Sequence, residues 1–229
     1  MNEKVRVIIV EGLDASGKES LSSTLVDMLE VDINESCKVI REEFPRYGTR
    51  TGETIRRILH GELREMKPEL PQFFAMDRTD YMNKIERHTL SADVYIFDRY
   101  SRSNVYCNGC REDVIELAKK ELELLKATIS KVNPDKELEI IEICVNYDFT
   151  DADTKNTSIA LHETYMGTRE VLDQNETISK QIMFADDMHR SYALFREPEM
   201  KLTLGFDIAE TAKSIVTDKL GYSFKEYRK

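Results

Sequence analysis

The chain has 229 residues, with 33 Lys+Arg against 43 Asp+Glu and a net charge of -10. Hydrophobic residues at 41% beside 33% charged suit a folded domain with a real core and argue against disorder. The acid excess argues against a general nucleic-acid binder, and no run approaches the roughly 18 apolar residues of a membrane span.

The chain runs almost at once into Val5–Val10, the β-branched pattern of a parallel strand buried on both faces. We therefore expect no leader peptide and a cytoplasmic protein. A Gly-rich turn follows, then helical spacing over Ser20–Leu29. Lys38–Arg41 reads as a second strand, broken by Phe44-Pro45. Gly52–Leu63 and Leu70–Leu90 read as helices, and Val94–Phe97 as a third strand ending in Asp98. Asp113–Val132 is an amphipathic helix stopped by Pro134, and Leu138–Val145 is a fourth strand. Tyr147–Asn175 is irregular and acidic, Ile178–Phe195 helical, Lys201–Leu204 a weaker strand and Ala209–Leu220 a closing helix. Strands alternating with helices predict an α/β, three-layer fold. The expectation is a five-stranded parallel sheet with helices on both faces, in one domain over 1–229.

Gly12, Gly17 and Lys18 have P-loop spacing, and the loop lies between a strand and a helix as that motif requires. The glycines let backbone N–H groups turn toward a phosphate, the helix N-terminus adds partial positive charge, and Lys18 reaches the outer phosphates. Gly12, Asp14, Ala15, Ser16, Gly17, Lys18, Glu19 and Ser20 are the candidate nucleotide-binding residues. The hydroxyl that normally follows the lysine and ligates Mg²⁺ is replaced by Glu19. Either Glu19 supplies a carboxylate, or Ser20 takes over, or the metal is held elsewhere. Asp98-Arg99-Tyr100 ends the third strand, at the sheet edge where open α/β folds place ligands. There Asp98 suits a cation or a nucleophile, and Arg99 suits a phosphate. Cys107 and Cys110 have redox spacing, but no second pair completes a metal site, so the four cysteines are expected to be reduced thiols.

With Glu11-Gly12-Leu13-Asp14, Phe44-Pro45, Thr49 and Gly52, Phe74 and Arg78, and Asp98 through Gly109, the chain resembles the thymidylate kinase family of P-loop nucleoside monophosphate kinases. The resemblance covers residues 5 to about 146 and about 173 to 220. It implies transfer of the γ-phosphoryl group of ATP to dTMP with Mg²⁺, in a homodimer that binds no nucleic acid or membrane. By the same resemblance, Asp14 meets the sugar 3′-hydroxyl region, Phe74 stacks on the base and Arg78 reads its carbonyl edge. Asp98 helps hold Mg²⁺, and Arg99 binds the acceptor phosphate. Asn104 and Asn108 lie near the base edge. Phe44, Pro45 and Ser103 complete the acceptor set. The family arginine of the Phe44-Pro45 loop aligns with Tyr47, so Arg46 or Arg50 takes that role. From the residues alone, Phe74 equally suits a core stripe with Tyr81, seven positions on, and Arg78, Arg46 and Arg50 suit solvated surface charges.

The resemblance also implies a mobile lid, at approximately 147–177, that closes over ATP. With Ala15 small, this lid should carry arginines, yet Tyr147–Met200 has Arg169, Arg190, Arg196, Lys155 and Lys180 against eleven acids. Arg169 is the candidate transition-state clamp, with Lys155 behind it, and a solvated acidic insertion is the competing reading. Glu176 matches the lid glutamate, and Asn175 falls where some relatives place a tyrosine. Two further functions stay open from sequence: another P-loop phosphotransferase, of broad pyrimidine range or using polyphosphate, and a nucleotide-binding protein without catalysis. Ten of the sixteen arginines lie between Arg41 and Arg102, the stretch the resemblance gives to the acceptor.

Overall fold

A computed structural model describes residues 4–14, 16–33, 36–146, 178–203 and 205–225, with side chains of 178–181 outside the description. The elements in chain order are β1 (Lys4–Gly12), α1 (Lys18–Asp27), β2 (Val39–Glu43), α2 (Arg50–Leu59), α3 (Leu70–Arg87), β3 (Val94–Asp98), α4 (Ser101–Cys107), α5 (Glu112–Val132), β4 (Glu137–Asn146), α6 (Ile178–Leu194), β5 (Met200–Thr203) and α7 (Ile208–Ser214). The five strands form one parallel sheet in the order β2-β3-β1-β4-β5, as the alternating pattern predicts.

The side-chain alternation of β1 divides the core in two. Val5, Val7 and Ile9 pack with Met82 and Ile85 of α3 and Leu125 and Ile129 of α5. Ile8 and Val10 face the other way, against Leu21 and Leu25 of α1 and Ala212 of α7. Burial on both faces is why β1 is almost continuously apolar.

Three elements differ most from the sequence expectation. The closing helix, expected over Ala209–Leu220, is α-helical only to Ser214 and continues as π-helix over Ile215–Lys219. α2 starts at Arg50 because the Thr49 hydroxyl accepts the Gly52 N–H at 3.0 Å, and it stops by Leu59, ahead of Gly61 at φ 77°. α4 was not expected, because its few apolar residues span too little chain to display a helical period. Among the described residues no helix is long and apolar enough to cross a membrane.

Candidate active site

The carboxyl ends of β1 and β3 meet in register, with Val10 opposite Asp98. This puts the turn after β1 beside the turn after β3. Gly17 caps α1 at φ 88°, in the left-handed region that glycine adopts freely. A Cβ on Gly12 would lie 2.4 Å from Ser16 Oγ, so the loop closes this tightly only around glycine. Lys18 is buried and donates from Nζ to the Leu13 carbonyl at 3.3 Å.

Asp14 lies between two cations. Lys18 Nζ is 3.8 Å from its Oδ1, and the Arg99 guanidinium donates to the same oxygen. Arg99 also donates to the Gly12 carbonyl (3.0 Å), Ser103 Oγ (3.3 Å) and Tyr106 Oη (3.0 Å). Its backbone has φ 64°, a conformation costing a non-glycine residue about 1 kcal/mol. The turn is held from both sides: Arg99 N–H donates to the Val10 carbonyl at 2.8 Å, and Tyr100 N–H donates to Glu11 Oε1 at 2.8 Å. Glu11 is fully buried and also accepts from Ser103 N–H and Oγ. Burial, and next the nearby Glu142, push the Glu11 carboxyl above the usual glutamate range, against the pull of Ser103 and Tyr100.

Asp98 is buried, and its Oδ2 lies 3.2 Å from the Ser22 hydroxyl. Its Oδ1 and Ser16 Oγ are the buried side-chain atoms without a hydrogen-bond partner among the described residues. The orphaned Ser16 Oγ in the loop and Asp98 Oδ1 at the end of β3 fit a bound phosphate with its cation, since unmet buried polar atoms are otherwise costly. Glu19 and Ser20 are both exposed on the first turn of α1. Among the described residues, no three His, Cys, Asp or Glu side chains converge as a metal site.

The remaining expected acceptor residues fall into different surroundings. Phe44 is in the core, edge-on to Tyr81, Phe97 and Tyr100, with a cis peptide to Pro45. Arg46 is held by buried Asp77 at 2.9 Å and covers the Tyr81 ring. Arg50 is exposed; its carbonyl accepts from Thr54 Oγ1 at 3.1 Å, and its side chain bonds no described residue. Phe74 is half-buried, whereas Tyr81 is in the core. Arg78 is buried, donating from Nε and Nη2 to Glu121 at 2.6 and 3.1 Å, while Nη1 bonds no described residue. Asn104 donates to the Pro71 carbonyl at 2.8 Å, and Asn108 to the Asn104 carbonyl at 2.7 Å. Ala15, Lys155, Gly167, Arg169, Asn175, Glu176 and the 147–177 segment lie outside the described residues.

Thus Asp14, Lys18, Arg99 and Ser103 share one cluster with the Gly12 carbonyl, and Asp98 stands at its edge. Sequence reasoning missed Glu121, Tyr106, Ser22 and Arg41, and used Glu11 only as a motif position. Each acts through a partner far along the chain, so no local pattern announces it.

A model of the thymidylate kinase family matches residues 10–136. A thymidylate kinase of Plasmodium falciparum is 32% identical over 108 residues, 47% of this chain and 50% of that one. A probable thymidylate kinase of Methanococcus aeolicus is 33% identical over 100 residues, 44% of this chain and 45% of that one. The chain thus spans about half the length of the curated relatives it matches. Thymidylate kinase structures from Candida albicans and Ehrlichia chaffeensis share the fold, with TM-scores of 0.59 and 0.56 at 16% and 17% identity. They align with 96% and 93% of this chain, covering 98% and 99% of their own.

Proposed function

The chain belongs to the thymidylate kinase family, and on that premise we propose that it transfers the γ-phosphoryl group of ATP to dTMP, giving dTDP and ADP. A phosphate oxygen of dTMP forms the new bond to the γ-phosphorus. The bond from that phosphorus to the β,γ-bridging oxygen breaks, and its electron pair leaves with ADP. Such a reaction needs charge neutralisation and in-line placement rather than a covalent intermediate.

The convergence of Lys18 and Arg99 on Asp14 supports this reading most directly. Two cations from opposite halves of the site stand where donor and acceptor phosphates would meet. In this arrangement Asp14 occupies both, and an arriving phosphate takes its place. The Gly12–Ser20 loop would then cradle the ATP phosphates, with Ser16 Oγ and the loop N–H groups donating. Mg²⁺ bound with the nucleotide would neutralise charge on the phosphates, and Asp98, whose Oδ1 bonds no described residue, would hold it. Arg78, fixed by Glu121, keeps Nη1 for a base carbonyl, and Phe74 is placed one turn earlier on α3 for the base face. We keep Arg169 in the proposal as the transition-state clamp, residues 1–229 as one kinase domain, a homodimer as the assembly and the cytoplasm as its place.

ADP release, read by a coupled assay with dTMP, dUMP, dCMP and dGMP, tests the proposal. Turnover should be highest with dTMP; no turnover with any monophosphate at any divalent metal overturns it. Arg99→Ala should weaken dTMP binding and lower kcat/KM by about 10²-fold or more. Near-normal kinetics would remove Arg99 from the acceptor phosphate. Arg169→Ala should lower kcat with little change in dTMP KM, as for a contact made only in the transition state.

A further inference from the structure

β2 carries a cation for which the P-loop pattern has no use. Arg41 pairs in register with Ile96, two positions before Asp98. Its Nε and Nη2 donate to Ser22 Oγ at 3.2 and 3.1 Å, and Nη2 stands 3.5 Å from Asp98 Oδ2. Ser22 is fully buried one helical turn after Lys18, so both lie on the same face of α1. Its hydroxyl reaches the Glu19 carbonyl at 3.0 Å and Asp98 Oδ2 at 3.2 Å. Among the described residues, every hydrogen-bond or ion-pair contact of Asp98's carboxylate thus falls on Oδ2, and Oδ1 bonds none of them. Glu43, opposite Asp98 on β2, adds acidity: its carboxyl is pushed above the usual range by burial, then by Asp98 and Glu19.

We infer that Ser22 and Arg41 are a positioning clamp on Asp98, fixing and partly neutralising Oδ2 so that Oδ1 alone faces the nucleotide-bound cation. The pair takes over the orienting work that P-loop proteins usually give to the hydroxyl after the lysine, which here is Glu19 and exposed. The inference rests on the kinase reading, since it needs a cation at the phosphates. Its physical content is twofold. The hydroxyl and guanidinium hold the carboxylate plane, and the Arg41 charge moderates how strongly the acidic cluster draws a divalent ion.

The test compares ADP binding with and without Mg²⁺ by calorimetry, alongside steady-state kinetics. Arg41 is partly exposed, so Arg41→Met should fold; thermal melts of each variant check this. In Arg41→Met the Mg²⁺-dependent tightening of ADP should grow about fivefold or more, because a like charge has left the site. Its kcat should fall about tenfold, with dTMP KM held within about twofold, because the carboxylate is no longer held in plane. Arg41→Lys should bring the Mg²⁺ effect back toward wild type while kcat stays low, since an ammonium restores charge but not the fork. Ser22→Ala should lower kcat with a smaller change in the Mg²⁺ effect. An unchanged Mg²⁺ effect and kcat in Arg41→Met overturns the clamp, as does loss of the Mg²⁺ effect in a folded variant. A wild type that turns over no monophosphate, yet shows the calorimetric shifts, would sink the kinase reading and leave the clamp standing.

Discussion

Glu121 is the residue on which the base-reading role proposed for Arg78 depends. It holds two of the guanidinium nitrogens in a buried bidentate pair, with 3% and 4% of the two side chains exposed. Neutralising it leaves Arg78 charged and unpaired in the core. Glu121→Gln should therefore lower unfolding free energy by about 3–5 kcal/mol in urea titration. A change below about 1 kcal/mol would mean the pair is solvated. Glu11 makes the opposite case. Its folded carboxyl is pushed above its unfolded range, so its favourable contribution is complete below the ordinary glutamate range. That contribution is lost as pH rises through the shifted value. A glutamine would offer Oε1 to Tyr100 and Ser103 N–H and its amide to the Ser103 hydroxyl. The Tm of Glu11→Gln relative to wild type should accordingly rise between about pH 5 and pH 8. A difference that stays flat or falls would show that burial does not dominate at Glu11.

At the scale of elements, local chemistry explains what was readable. Strands announce themselves as apolar or β-branched runs, so all five lie within two residues of their expected ends. The weak fifth, Met200–Thr203, shifted by one. α4 was invisible because seven residues carry too little period. The site divides the same way. Gly12, Gly17 and Lys18 form a local spacing and were legible. Arg78–Glu121, Ser22–Asp98 and Glu11–Tyr100 join residues 43, 76 and 89 positions apart, and only the sheet and its crossovers bring them together. The family resemblance assigned Arg46 or Arg50 to the acceptor phosphate; Asp77 engages Arg46 and leaves Arg50 the more open of the two. The start of α2 is equally specific. A Cβ at Gly52 would lie 1.9 Å from the Arg46 carbonyl, so Gly52→Ala must push the loop off the helix. It should destabilise by about 1–3 kcal/mol in denaturant unfolding, and an unchanged midpoint would refute the close approach.

Across the whole molecule, the family model matches residues 10–136, yet the chain beyond them completes the sheet and is bolted to the site. Arg102, wholly buried beside the Asp98-Arg99 turn, donates to Glu142 of β4 at 2.9 and 2.6 Å, to Ser191 of α6 at 2.8 Å and to the Arg196 carbonyl at 2.6 Å. Arg102→Met would leave Glu142 buried with, among the described residues, only Arg196, at 3.4 Å, to balance it. Stability should fall by about 3 kcal/mol, with α6 amides losing protection first in hydrogen exchange. Protection lost evenly across the sheet would contradict that link. The charge belongs to this scale too. A net charge of -10 argues against a general polyanion binder, while ten of the sixteen arginines lie between Arg41 and Arg102. Many of them are committed to carboxylates of the fold, as Arg46, Arg78 and Arg102 show.

The central claim is phosphoryl transfer from ATP to dTMP at the Lys18–Asp14–Arg99 cluster. Chromatographic separation of the nucleotides after incubation with ATP, dTMP and Mg²⁺ tests it most directly. dTDP and ADP should form in equal amounts, and both should be lost in Lys18→Ala. ADP formed without dTDP, or dTDP formed equally well by Lys18→Ala, would contradict it.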